Sequence, residues 1–290
     1  MSFTLRLAFA IIAGIVAAIV IAPLAAIAVA QLGFQFPFPR IFDRTAMVAV
    51  AVMLIYEARE LRLIPLLSAG FSHPVANAGR AARGFAVGIG MIAILLILAV
   101  MFGATGASLT PAAAALPKYV LSAIVIAIIE EGFFRAVVCG GMLNDFGRSA
   151  AIVISSVIYA LAHVLRSPAK FFVTDYEPTA ALRTIEGSIA QLSNTGAVLA
   201  TVLGLFLLGV VLATAFVRTR NVYFGAGLHA AVVVGAKLWP KLILGGAALP
   251  GWVAGWGTQP LISGGAAWLL ALIVLALVRP LAGSSRPLEV

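Results

Sequence analysis

The chain has 290 residues, 63% of them hydrophobic and 10% charged, with a mean hydropathy of +1.13. Soluble domains carry about 25% charged residues, so this composition excludes a water-soluble globule and points to an all-α polytopic membrane protein. The net charge of +9 comes from nineteen Lys and Arg set singly or in pairs beside apolar runs. Without a basic block, that pattern excludes a nucleic-acid partner and assigns the charges to topology in a lipid bilayer.

Stretches of about 17 to 25 apolar residues are long enough to cross a bilayer. About eight are expected, at roughly 5–30, 41–57, 84–104, 118–140, 149–165, 195–217, 221–239 and 262–282. The first, Leu5 to Ala30, has its apolar run after Arg6 and ends in Ala28-Val29-Ala30, a small-residue pattern like a signal cleavage site. Signal-peptide apolar regions run about 7 to 15 residues, so this longer stretch is read as a retained span. The second has the shortest apolar run, Ala46 to Tyr56, and leads into Glu57-Ala58-Arg59-Glu60-Leu61-Arg62. There the chain is expected to turn amphipathic and lie along the interface.

Two connections stand out. Arg166 to Asn194 carries Asp175, Tyr176, Glu177 and Glu186 and reads as an interfacial lid or surface helix. Leu244 to Gly265 is rich in Gly and contains Trp252 and Trp256, which suits a loop anchored among lipid headgroups. No internal repeat is visible, so residues 1–290 are read as one transmembrane domain. With eight spans, ten basic residues fall on one side, Arg286 among them, eight on the other, and Arg135 within a span, which accounts for all nineteen. The positive-inside rule then places both termini in the cytoplasm, in a bacterial inner membrane.

The fourth span holds the unusual sequence Ile129-Glu130-Glu131-Gly132-Phe133-Phe134-Arg135. A charge at the centre of a membrane helix costs about 2.5 to 3.5 kcal/mol on insertion scales, so three of them require partners or a reaction. Positions i and i+4 share a helix face, which pairs Glu131 with Arg135 and turns Glu130 away from that local counter-ion. Two readings are open at this point: both glutamates join helices together, or Glu131 is structural and Glu130 is kept for chemistry.

Two of the three histidines also fall within spans. His163 ends Tyr159-Ala160-Leu161-Ala162-His163, where Tyr159 and His163 share a face that Ser156 extends, and His229 follows Gly227-Leu228. A lone membrane histidine is usually an interhelical hydrogen-bonder, but two of them with Glu130 make a set. If the three spans meet, a carboxylate and an imidazole share a water as general base, and the second imidazole donates to the oxygen of a tetrahedral intermediate. The single cysteine, Cys139, forms no disulfide and no thiolate cage, so any zinc site would use His and Glu. Cys139 reads as a small apolar residue.

These residues resemble the signatures of a known family. Glu130-Glu131-Gly132-Phe133-Phe134-Arg135 fits EExxxR, and Tyr159 to His163 fits FxxxH with Tyr in place of Phe. Arg218-Thr219-Arg220-Asn221 leading to Gly227-Leu228-His229 is similar to the last motif. The chain resembles the CAAX-protease and bacteriocin-processing family of intramembrane glutamic endopeptidases, with a core at about 118–240. The resemblance implies eight transmembrane helices around a cavity open to the membrane, and cleavage of a membrane-associated protein or peptide substrate. It implies that Glu130 and His163 activate water, that His229 helps bind the oxyanion, and that Glu131 and Arg135 hold the glutamate helix. No cofactor is implied, and zinc is not excluded.

The last family motif usually reads HxxxN or HxxxD, whereas the fourth residue after His229 is Val233. Losing one oxyanion donor costs about 10² to 10³ in rate elsewhere. The alternative is therefore a catalytically silent relative that scaffolds a membrane protein or confers immunity to a peptide. A transporter is disfavoured because the first half has no matching charged span. Other proteases fit poorly: there is no HExxH, no Asp pair within spans and no GxSxG.

Overall fold

A computed structural model describes residues 1–105, 109–193, 195–243, 245–246, 249–257 and 259–283. Arg286, Asn194 and Leu244, used in the topology and loop readings, lie outside the described residues. The helices are α1 (Phe3–Gln31), α2 (Phe38–Tyr56), α3 (Leu63–Gly70), α4 (Pro74–Met101), α5 (Leu109–Glu130), α6 (Gly140–Val164), α7 (Thr179–Ala190), α8 (Thr195–Thr219), α9 (Tyr223–Leu242), α10 (Gly251–Ala254), α11 (Pro260–Ser263) and α12 (Gly265–Ala282). A π-helical segment, Glu131–Cys139, joins α5 to α6. The fold is all-α, apart from an antiparallel contact of Ala104–Thr105 with Gly245–Gly246.

Among the described residues, five stretches are long and apolar enough to cross a membrane: Phe3–Gln31, Pro74–Met101, Ala112–Val164, Gly196–Thr219 and Gly265–Ala282. At about 1.5 Å per residue, the third, of 53 residues, would be nearly three times as long as the roughly 30 Å bilayer core is thick. It is not one rod, because Gly147 (φ 75°, ψ −179°) breaks it. The expected spans 118–140 and 149–165 lie on either side of that glycine. The expected spans 41–57 and 221–239 are also helices, α2 and α9, but fall outside the five.

The chain forms two compact units. The first comprises Met1–Ile64 and Ala162–Thr195. Here α1 packs along α2 closely enough that a Cβ on Gly14 would lie 2.6 Å from Val50. The polar connection after α6 is held down by Phe38, which stacks on Phe171 at 5.6 Å and donates its backbone N–H to the Phe171 carbonyl. α7 buries Ala180, Ala181 and Thr184, so part of the expected surface helix is packed. The charges after α2 are used locally: Arg6 pairs with Glu57 at 3.3 Å and Glu60 at 3.0 Å.

The second unit comprises Pro65–Leu161 and Gly196–Val290, and α9 is its central helix. Its buried residues Phe224, Leu228 and Val232 pack with Leu208 and Leu212 of α8, Ile92 and Leu95 of α4, and Ala271 and Val274 of α12. Because neighbours enclose it, α9 carries His229 and Lys237 without facing both to lipid. Small residues let membrane helices approach closely, and α4 meets α9 through Gly84, Gly88 and Gly227. A Cβ on Gly84 would overlap the Phe224 carbonyl oxygen, and one on Gly227 would overlap that of Ala81.

Candidate functional site

The Glu-rich helix changes its winding where the charges begin. From Glu131 to Cys139 the backbone is π-helical, and the Gly140 N–H still reaches back five residues to the Arg135 carbonyl. A π segment fits an extra residue into each turn and re-aims the side chains that follow. The spacing of Glu131 and Arg135 suggested an ordinary α-helix there; the structure keeps their pairing but in this wider winding. The Arg135 Nε lies 3.3 Å from the Glu131 Oε2, and both side chains are fully buried. The guanidinium also lies over the Tyr159 ring at 4.6 Å and near Phe134 at 6.0 Å. Among the described residues no acceptor lies in line with its N–H groups, so its charge is met by the carboxylate and by an aromatic face.

Glu131 has a second partner that spacing along one helix could not reveal. Its Oε1 lies 3.0 Å from the His229 Nδ1. A carboxylate only accepts, so the ring donates its Nδ1–H and its Nε2 is turned to the opposite side. Gly225 lies one turn before His229 and makes room for this contact: a Cβ there would be 2.8 Å from the Glu131 Oε2. Sequence reasoning missed Gly225, since a lone glycine inside a membrane helix carries no distinguishing pattern.

On the Nε2 side, the Glu130 Oε2 is at 3.7 Å and the Tyr159 hydroxyl at 3.5 Å. The Tyr159 and His229 rings meet edge to face at 6.0 Å, and Phe134 meets Tyr159 edge to face at 5.2 Å. These rings fix the orientation of the phenol. The Glu130 side chain remains 25% exposed while those of Glu131 and Arg135 are sealed, so Glu130 is the more accessible of the two carboxylates, with its Oε2 turned inward. The structure thus gathers Glu130, Glu131, Arg135, Tyr159 and His229 from the end of α5, the π-helical hinge, α6 and α9.

His163 lies one turn after Tyr159, in the last turn of α6 and within the first unit. The spacing paired Tyr159 with His163 along one helix; the contact seen for the Tyr159 hydroxyl is with His229. The turn into α9 is built by Asn221, whose side chain donates to the Thr219 carbonyl and accepts from the Tyr223 N–H, while Arg220 takes a left-handed backbone (φ 56°). Val233 packs with Ala123, Ala127 and Val234 between α5 and α9. Lys237 lies over the Tyr119 ring at 5.7 Å.

Three ordered elements from separate helices, a Glu-Glu-Arg hinge, a Tyr159-containing turn and a His229-containing helix, now stand in one geometry, and all lie between residues 118 and 240. Residues 111–235 match an Rce1-like family model. That model describes type II CAAX prenyl endopeptidases of the Rce1-like kind. Every member of the gathered cluster falls inside the Rce1-like stretch, and so does His163. No curated protein and no solved structure matches the chain.

Among the described residues, no group of three or more His, Cys, Asp or Glu is arranged to hold a metal ion. An open apolar groove of about 590 Å³ lies at α8, Trp256 and Trp268, and none of the gathered residues lines it.

Proposed function

We propose that this integral membrane protein is an intramembrane endopeptidase that hydrolyses a peptide bond of a membrane-associated protein or peptide. The observation that carries this reading is the orientation of His229: one ring nitrogen is fixed by buried Glu131, and the other is turned toward the accessible Glu130. The Rce1-like match supports the reaction class. Glu130, assisted by His163, takes a proton from water, and the water oxygen adds to the carbonyl carbon. The carbonyl oxygen gains the charge, and His229 is the group that meets it. As the C–N bond breaks, the proton held by Glu130 passes to the departing amine. Arg135 holds Glu131, and Glu131 holds His229. No step in this scheme needs a metal.

The family description supports a substrate whose tail is prenylated. Read with eight spans, the ten-to-eight division of basic residues favours cytoplasmic termini, and the membrane we assign is a bacterial inner membrane. The test is cleavage of lipid-tethered peptides, prenylated and plain, by the protein in proteoliposomes. Wild type is expected to cleave and Glu130→Gln to be silent. Cleavage that survives in Glu130→Gln refutes the assignment.

A second reading, a catalytically silent relative that scaffolds a membrane protein or confers peptide immunity, is favoured by one observation. Val233 puts an apolar side chain one turn from His229, where it packs with Ala123 and Ala127 of α5. Absence of cleavage by the folded wild-type protein on every lipid-tethered peptide, prenylated or plain, would support it.

A further inference from the structure

Two departures from the family signatures occur together in this chain: Tyr159 stands where Phe is usual, and Val233 where Asn or Asp is usual. The structure connects them through His229. The hydroxyl that Tyr159 adds lies 3.5 Å from the His229 Nε2, on the side that also faces Glu130. Val233 follows His229 by one turn of α9 and offers no polar atom.

The proton inventory at this spot gives the hydroxyl a role. With Nδ1–H donated to Glu131, the neutral His229 ring presents a bare Nε2, which accepts and does not donate. The Tyr159 O–H is then the proton-bearing group beside it. In the imidazolium, Nε2–H and O–H are two donors 3.5 Å apart, close enough for one oxygen to accept from both at ordinary hydrogen-bond lengths of about 2.7 to 3.0 Å. With the ring protonated, the phenol thus brings a second hydrogen bond where the carbonyl oxygen gains charge, and tyrosine is an established kind of oxyanion donor. The Tyr159 ring is buried and held by the Arg135 guanidinium and the Phe134 edge, so the hydroxyl is preorganised without further ordering on substrate binding.

We propose that Tyr159 is a catalytic residue that donates a hydrogen bond to the tetrahedral oxyanion, standing in for the polar side chain that position 233 lacks. This rests on the endopeptidase reading above. It adds no proton transfer, because the phenol keeps its proton throughout.

Tyr159→Phe removes only the oxygen and leaves the ring for Arg135 and Phe134. The experiment compares wild type, Tyr159→Phe, Val233→Asn and the double variant on one lipid-tethered quenched-fluorescent peptide in proteoliposomes, with thermal unfolding to verify folding. Glu130→Gln serves as the inactive control. Tyr159→Phe is expected to lower kcat by about 10² to 10³ with KM unchanged, and Val233→Asn in that background to recover tenfold or more. A Tyr159→Phe enzyme within threefold of wild type overturns the proposal. So does a loss expressed in KM, or a kcat loss that persists in a folded double variant because Val233→Asn fails to relieve it, since the hydroxyl would then act only by positioning His229. Wild type that fails to cleave, or cleaves independently of Glu130, overturns the endopeptidase reading itself, and that result is distinct from an active wild type with a neutral Tyr159→Phe.

Discussion

Arg135→Met is the perturbation that most directly tests how the hinge is held. The guanidinium and the Glu131 carboxylate are both fully buried and 3.3 Å apart. Removing one member of such a pair strands the other charge, at about 3 to 5 kcal/mol. At roughly 2 to 4 °C per kcal/mol for a chain of this order of size, the unfolding midpoint should fall by about 6 to 20 °C. Removing both charges is different, because apolar replacements of a buried pair are often neutral or stabilising. The double variant Glu131→Leu/Arg135→Met should therefore unfold close to wild type. It should nevertheless lose cleavage, since the His229 Nδ1 no longer has its acceptor at 3.0 Å. Midpoints read from the intrinsic fluorescence of the four tryptophans in lipid nanodiscs, with cleavage measured on the same samples, separate the two effects. An Arg135→Met protein that melts within about 2 °C of wild type would refute the claim that this pair holds the hinge.

Gly225→Ala should lower kcat by about tenfold or more with a nearly unchanged midpoint, because the new methyl would sit 2.8 Å from the Glu131 Oε2 and push the carboxylate away from His229; a variant with wild-type kcat would count against that contact. Gly84→Ala should destabilise by about 1 to 3 kcal/mol, because its Cβ would overlap the Phe224 carbonyl oxygen at the α4–α9 crossing, and an unchanged midpoint would contradict the crossing as described. Cleavage should withstand EDTA and 1,10-phenanthroline, and a loss restored by added zinc would replace the metal-free scheme.

Much of this was legible in the sequence, because a charge inside a membrane helix announces itself by its cost. Glu130, Glu131 and Arg135 could be singled out that way, and the i,i+4 rule paired the last two. The helices were equally visible, since a backbone in lipid must satisfy its own hydrogen bonds. What escaped were contacts between helices. Nothing in the spacing of Glu131 announces that its second oxygen binds His229, 98 residues later. The π winding was hidden for a related reason: its hydrogen bonds differ by one residue from those of an α-helix, and no residue type encodes that shift. The α4–α9 crossing depends on where glycines face each other, which neither segment shows by itself. The spans α2 and α9 were marked by hydrophobicity alone, and α9 proved to be an enclosed helix that tolerates polar residues because its neighbours shield it.

The bend at Gly147 has a consequence for alignment. Arg135 precedes it by twelve residues (147 − 135) and Tyr159 follows it by twelve (159 − 147), so the two arms of this helical hairpin bring guanidinium and phenol to the same level, where they meet at 4.6 Å. The pairing works like a vernier. Inserting or deleting one residue in either arm would slide that arm by about 1.5 Å and rotate it by about 100°, taking Tyr159 away from both Arg135 and His229. The distance of each residue from Gly147 is therefore as much a part of the site as the side chains themselves.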